Sequence, residues 1–430
     1  MIRLLYNLLF PLALLLFLPG YLLKMLRRGN YRDKFGQRLG FYDAETRARL
    51  TPGATWLHAV SVGEVMIALK LAAQMKKEEP ALRVALTTTT TTGRAFARKQ
   101  VPAWIEVLYT PLDFWPIMRR AFAVIRPDRV VLVEAEVWPN LTAIAHRRKI
   151  PLALVNARLS PRSERRFRKF NFFVRPYFRR LDLICVQERE DVARWRSLGA
   201  KPERIHPVGS IKYDPENVAS HSEVPQTVLQ TFGVDPNRPI LLAGSTHPGE
   251  EEILGRVFLE LRRDFPDLFL LIAPRHVERV PAIASRLRAL GLESVRRSLA
   301  GSGAAAADCL LLDTTGELRD WYSAATIVFM GKSLTARGGQ NPVEPIMAGR
   351  PVVFGPQMEN FANLARALVA AGGALQPNDE VSLTIALREL LRDGAKREQL
   401  IRQARTVLDP HRGATERTAQ LLGKLPLRTG

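Results

Sequence analysis

The chain has 430 residues, 47% hydrophobic and 24% charged, a balance that excludes a disordered or fibrous chain and allows two or three globular domains. Its net charge of +21 points to an anionic partner: nucleic acid, an anionic membrane surface or a phosphorylated substrate. Cys185 and Cys309 sit inside apolar runs and read as reduced core residues, which excludes a disulfide framework, and the seven His show no ligand spacing, so no metal is expected.

Residues 4–23 carry no charge and are long enough to span a bilayer, while Pro11, Pro19 and Gly20 leave a kinked or shallow membrane helix as the other form. Lys24, Arg27, Arg28, Arg32, Lys34 and Arg38 follow, which places the body of the chain on the cytoplasmic side. No small-residue cleavage site is present, so residues 1–28 read as an uncleaved anchor rather than a signal peptide. Strand patterns at 56–60, 84–88, 106–109, 130–134, 152–155 and 183–186 then alternate with helical ones such as 65–76 and 139–148. That rhythm predicts a Rossmann-like domain over 29–212 with a mostly parallel sheet. Residues 213–238, rich in Pro, Asn, Asp and Ser, read as a linker with one short helix. The rhythm restarts at 240–243, 268–273, 310–312, 327–330 and 351–354, predicting a second Rossmann-like domain over 239–412. A final helix and tail occupy 413–430. The expected fold is α/β, two Rossmann-like domains facing each other across a cleft.

The strand at 56–60 turns directly into a helix through Val-Gly63-Glu64-Val. Gly63 allows close approach of the backbone, and Glu64 falls in the first helical turn, where the helix dipole favours an ionised carboxylate. A general base needs that state, and open α/β sheets bind ligands beyond the carboxyl ends of their strands. A Glu that only offsets the dipole occupies the same position. The strand at 130–134 ends in Glu134-Ala-Glu136, and a buried carboxylate is costly unless paired or used, so at least one of the two is expected to face the cleft. The Thr run at 87–92 follows a strand, and helix capping accounts for most of it. Between Arg158 and Arg180, basic residues interleave with Phe167, Phe170, Phe172, Phe173, Tyr177 and Phe178. This stretch suits a membrane interface, an amphipathic helix with its rings in the core, or single-stranded nucleic acid.

In the second half, four loops follow strands: Gly244-Ser-Thr-His247, Pro274-Arg275-His276, Asp313-Thr-Thr315-Gly316-Glu317 and Gly338-Gly-Gln-Asn341-Pro342-Val343-Glu344. The first offers amides and hydroxyls to a phosphate or carboxylate. The second offers a fixed Arg to an anionic or planar ligand. In the last, Glu344 can accept from ribose hydroxyls. No complete G-x-G-x-x-G or P-loop signature is present, yet four loops on one carboxyl edge indicate a nucleotide site.

Taken together, His58-Ala-Val-Ser-Val-Gly-Glu64, Glu134-Ala-Glu-Val-Trp-Pro-Asn140, Asn156-Ala-Arg158-Leu-Ser160, Gly209-Ser-Ile-Lys212-Tyr-Asp214, Pro274-Arg275-His276, Thr315-Gly316-Glu317 and Asn341-Pro-Val-Glu344 resemble the 3-deoxy-D-manno-octulosonic acid (Kdo) transferases of lipopolysaccharide assembly. The resemblance runs from the N-terminal anchor to about Leu422. It implies a GT-B glycosyltransferase moving Kdo from CMP-Kdo, a co-substrate, to the diphosphorylated lipid A precursor (lipid IV-A). It implies no metal or cofactor, and a place at the cytoplasmic face of the inner membrane, against its anionic surface, with no nucleic acid partner. By resemblance Glu64 is the general base, and Glu134 and Lys212 stabilise the transition state. By resemblance too, Pro274, Arg275, Thr315, Gly316, Glu317, Asn341, Pro342, Val343 and Glu344 form the CMP site. Thr315 departs from the Met more usual before the Gly-Glu pair. A GT-B transferase for another nucleotide sugar and a non-catalytic basic protein binding membrane or nucleic acid are the alternatives.

Overall fold

The computed structural model describes residues 2–28, 34–135, 137–159, 161–214, 223–235, 237–300 and 307–427. Arg32, Glu136, Ser160 and residues 215–222 of the expected linker lie outside them. The chain forms two compact units, Met1–Asp214 with His411–Gly430, and Pro215–Pro410.

The first unit holds seven parallel strands: β1 (Thr55–Ala59), β2 (Val84–Thr88), β3 (Ile105–Tyr109), β4 (Arg129–Val133), β5 (Leu152–Ala157), β6 (Leu183–Val186) and β7 (Ile205–Pro207). Their order is β3-β2-β1-β4-β5-β6-β7. A parallel sheet is covered on both faces, so its strands read as unbroken apolar runs, and every residue of β1, β2 and β4 is buried. Alternation along each strand feeds two cores. Trp56 and Leu132 join Phe122 and Trp195 on one face. Leu57 and Val131 join Leu71 and Cys185 on the other. From β1 the chain lays down β2 and β3 on one side, then crosses to place β4 on the other. That reversal opens a crevice at the carboxyl ends of β1 and β4.

The second unit repeats the plan with β8 (Ile240–Thr246), β9 (Phe269–Pro274), β10 (Ser294–Arg296), β11 (Cys309–Leu311), β12 (Ile327–Met330) and β13 (Val352–Phe354), ordered β10-β11-β9-β8-β12-β13. Here the reversal lies between β8 and β12. The sequence pattern omitted β7 and β10. Both are short end strands of their sheets, and a strand so short carries too little periodicity to read.

After Pro410 the chain returns to the first unit. The helix Ala414–Gly423 packs Ala419 and Leu422 into the core around Leu57. Asp214 receives it, accepting from the N–H groups of Gly413 (2.7 Å) and Thr415 (2.8 Å). Arg129, buried in β4, donates to Leu422 O (3.2 Å) and to Glu79 (2.5 Å).

The N-terminal segment forms one helix, Ile2–Arg28. Among the described residues no helix is long and apolar enough to cross a membrane, so the expectation of a spanning anchor is not supported. The start of this helix is bound to protein instead. Asn7 donates to Asn140 Oδ1 (2.9 Å), and its own Oδ1 accepts from Asn140 Nδ2 (3.0 Å) and from the Trp115 N–H (3.0 Å). Phe10 stacks on Phe114 at 5.4 Å. Leu4, Leu8, Leu12, Leu15 and Leu16 face outward.

Candidate active site

In the first unit Ser61 caps the helix Val62–Glu78 that follows β1. Its Oγ accepts from the Glu64 N–H (3.3 Å) and its hydroxyl donates to Glu64 Oε1 (2.8 Å), while the Val60 N–H donates to Oε2 (2.8 Å). The carboxylate is thereby folded back over the strand end, at the crevice between β1 and β4. Dipole and hydrogen bonds favour its ionised form, as the sequence implies, but they do not dominate. Burial raises the Glu64 pKa above the usual carboxylate value, the Val60 and Ser61 hydrogen bonds oppose that, and the negative charge of Glu134 raises it further. Among the described residues a Cβ at Gly63 would meet only Ser61 Oγ at 3.9 Å, so none of them requires glycine there.

Across the crevice, β4 continues one hydrogen bond further, the Glu134 N–H donating to Val155 O (3.0 Å). Glu134 then takes a left-handed conformation, φ +64°. Non-glycine residues rarely adopt it, and such strain gathers at functional sites.

Lys212 arrives from the far end of the unit. Asn156, at φ +50° in β5, holds the turn beneath it. Its Oδ1 accepts from Ser210 Oγ (3.2 Å) and the Ile211 N–H (3.0 Å), while His411 Nδ1 accepts from the Ser210 N–H (3.2 Å). Burial lowers the Lys212 pKa, the charge of Glu134 pulls it back up, and that of Arg158 pushes it down. Glu64, Glu134 and Lys212 therefore share one electrostatic cluster, with Arg158 as a fourth member. Asn156 and Arg158 stood in the sequence motifs without a role. The only local hint at Asn156 is a polar residue inside a buried strand.

The Thr run is used internally. Thr87 Oγ1 accepts from Trp56 Nε1 (2.8 Å) and meets His58 Nδ1 (3.0 Å); Thr88 binds Val60 O (3.3 Å); Thr90 caps the next helix at the Gly93 N–H (3.0 Å). His58 is fully buried, which lowers its pKa to about 4 and keeps it neutral at pH 7. The basic-aromatic stretch divides: Tyr177 and Phe178 are buried, while Phe170, Phe172 and Phe173 face outward.

In the second unit the loops after β9, β11 and β12 carry the nine residues expected at a CMP site. Pro274 ends β9, and Arg275 follows with its side chain exposed and its N–H on Thr246 O (3.1 Å). Thr315 and Gly316 form an exposed turn, with Gly316 at φ +91°, and Glu317 accepts from Arg297 Nε (3.1 Å). Asn341 Oδ1 accepts the Val343 N–H (3.1 Å) at the start of the helix Val343–Met347. Pro342 and Val343 are buried. Glu344 lies near enough to Tyr322 for its charge to add to the burial that raises the Tyr322 pKa.

Of the amides after β8, expected to suit a phosphate, that of His247 is taken by the chain itself, together with three from the loop after β12. Glu250, fully buried, accepts from the N–H groups of His247 (2.8 Å), Lys332 (2.7 Å), Ser333 (2.8 Å) and Leu334 (3.0 Å). Beside it Arg279 grips Glu251 with two bonds of 3.0 and 2.9 Å. Among the described residues no group of three His, Cys, Asp or Glu side chains is placed to hold a metal.

Two Rossmann-like units in succession, each with loops gathered at its strand ends, define the GT-B fold. The fold alone is shared with the UDP-GlcNAc 2-epimerase of Neisseria meningitidis, at a TM-score of 0.56 and 14% identity over 86% of this chain and 100% of that one. Sequence similarity is narrower. The family model for 3-deoxy-D-manno-octulosonic-acid transferase (kdotransferase) matches residues 33–215. The 3-deoxy-D-manno-octulosonic acid transferase of Bordetella pertussis is 36% identical over 409 residues, 92% of this chain and 93% of its own. That of Haemophilus influenzae is 33% identical over 396 residues, 91% of each. The chain belongs to the Kdo transferase family.

Proposed function

We propose that the protein transfers Kdo from CMP-Kdo to the lipid A precursor at the cytoplasmic face of the inner membrane, without a metal. The observation that carries this reading is the cluster at the first unit's crevice: Glu64, Glu134 and Lys212, with the Glu64 carboxyl raised by burial and by Glu134. A base is most effective when its pKa lies near the working pH, and a raised carboxylate moves that way. Glu64 takes the proton from the acceptor hydroxyl as its oxygen bonds to the anomeric carbon of Kdo. The bond from that carbon to the CMP phosphate oxygen breaks, and CMP leaves with the electron pair. Lys212 offsets the negative charge, and Glu134 favours both the protonated form of Lys212 and proton capture by Glu64. CMP is bound in the second unit by Arg275 and Pro274, by the Thr315–Gly316–Glu317 turn, and by Asn341, the Pro342 and Val343 backbone and Glu344. The outward leucines of the N-terminal helix and the exposed Phe170, Phe172 and Phe173, among basic residues, meet the anionic membrane surface.

Mass spectrometry after incubation with CMP-Kdo and lipid IV-A tests the reaction. The expected product is heavier than the acceptor by one or more Kdo units, and an unchanged acceptor beside an active control transferase overturns the proposal. Thermal shift separates donors: CMP is expected to raise Tm more than UDP or GDP.

A further inference from the structure

Beside the Glu134 loop lies an apolar cavity of about 290 Å³, with Leu5 and Leu9 of the N-terminal helix on one wall, Phe173 and Val174 on another, and Val137 and Pro139 beneath. Ala135, next in sequence to Glu134, also lines it. The cavity is not a sealed core void, because Leu5, Leu9 and Phe173 are each more than two-fifths exposed. Water held against such walls is unfavourable. The leucine wall is fixed to the active-site loop, since Asn7 bridges to Asn140 at the start of the helix that this loop enters. Cations lie near two of the lining rings. Arg3 and Arg180 both act electrostatically on the lining Tyr177, and Arg166 lies 6.0 Å from the centre of the lining Phe167 ring. Leu4, Leu8 and Leu12 of the same helix are exposed.

We propose that this cavity binds one acyl chain of the lipid acceptor and so sets the position of the acceptor's sugar against Glu64 and Glu134. An apolar slot with Arg3, Arg166 and Arg180 near its lining rings complements a hydrocarbon chain attached to a phosphorylated head. Its inner end, one residue from Glu134, is where the lipid's sugar meets the chemistry. This rests on the transfer reaction proposed above.

The full-length protein in detergent, with CMP-Kdo, is compared on lipid IV-A and on an analogue with the same phosphorylated disaccharide but short acyl chains. Leu9→Trp narrows the slot from its exposed wall. Its preference for the long-chain acceptor, as a ratio of kcat/KM values, is expected to fall about tenfold, mostly through KM, matching roughly two methylenes left unburied. A preference equal to that of the unchanged protein overturns the cavity assignment and leaves the transfer reaction standing. No transfer to either acceptor by the unchanged protein overturns the transfer reaction itself. Should Leu9→Trp be inactive on both, lipid IV-A carrying a photoreactive group at one acyl terminus decides the matter in the unchanged protein. Crosslinks to Val137 or Val174 support the assignment. Crosslinks confined to Leu12, Leu15 and Leu16, or equal labelling of the cavity by a bilayer phospholipid with the same group, overturn it.

Discussion

The two units place a glutamate at the same point and use it in opposite ways. In each, the first strand of the sheet runs into a helix whose opening turn carries an acid, Glu64 after β1 and Glu250 after β8, beside the strand-order reversal. Glu64 accepts from one backbone N–H and one hydroxyl and faces a like-charged neighbour. Glu250 accepts from four backbone N–H groups, three of them from the loop after β12. The crevice of the first unit is therefore kept chemically available, and that of the second is stitched shut at its base. The difference between the two acids is that the opposite loop delivers three donors to Glu250, while the proposed base, Glu64, is held from its own turn.

The sharpest way to break this comparison is to neutralise each acid. Glu64→Gln is expected to lower kcat for Kdo transfer by roughly a hundredfold or more, the usual worth of a general base, with thermal stability nearly unchanged. Retained turnover would remove Glu64 from the role. Glu250→Ala leaves four N–H groups, one buried and three part-buried, without their acceptor and is expected to cost about 3 kcal/mol or more, seen as a large fall in Tm. A stable, inactive Glu250→Ala protein would reverse the two assignments. Asn156→Ala removes the acceptor for Ser210 and Ile211 and is expected to cost about 1–2 kcal/mol and to slow transfer by loosening the Lys212 turn. Denaturant titration and kcat together check it. The smallest effect is in the pH profile. Glu64 acts ionised, its folded pKa is raised, and activity is lost as pH falls through that value. Glu134→Gln removes a neighbouring negative charge that contributes to the rise, so the acidic limb of the residual kcat/KM is expected to move to lower pH. A limb that stays in place would separate the two carboxylates electrostatically.

The β-α alternation was legible because parallel strands are buried on both faces and leave unbroken apolar runs at 56–60, 84–88 and 130–134. Glu64 and Glu134 were legible as acids at strand ends. Glu250 was not separable from Glu64, because its partners Lys332, Ser333 and Leu334 come from more than eighty residues away. Lys212 looked like the last residue before a linker for the same reason: the side chain that fixes its turn, Asn156, belongs to another strand. The N-terminal run of residues 4–23 reads by hydropathy as a membrane segment. Asn7, its one side-chain amide, takes three hydrogen bonds with the body of the protein.

The return of the closing helix to the first unit gives the protein an unusual order of completion. Synthesis runs from the amino end, and domains commonly fold as they emerge. Here the helix Ala414–Gly423 fills the core behind β1 and receives Arg129 at Leu422, so the unit made first lacks part of its interior until that helix has been made. The second unit, Pro215–Pro410, has its whole sequence made before then. A nascent chain that ends just after Pro410 is expected to carry a finished second unit and an unfinished first one, so termination there strikes the Glu64 side although the missing residues lie far from it in sequence.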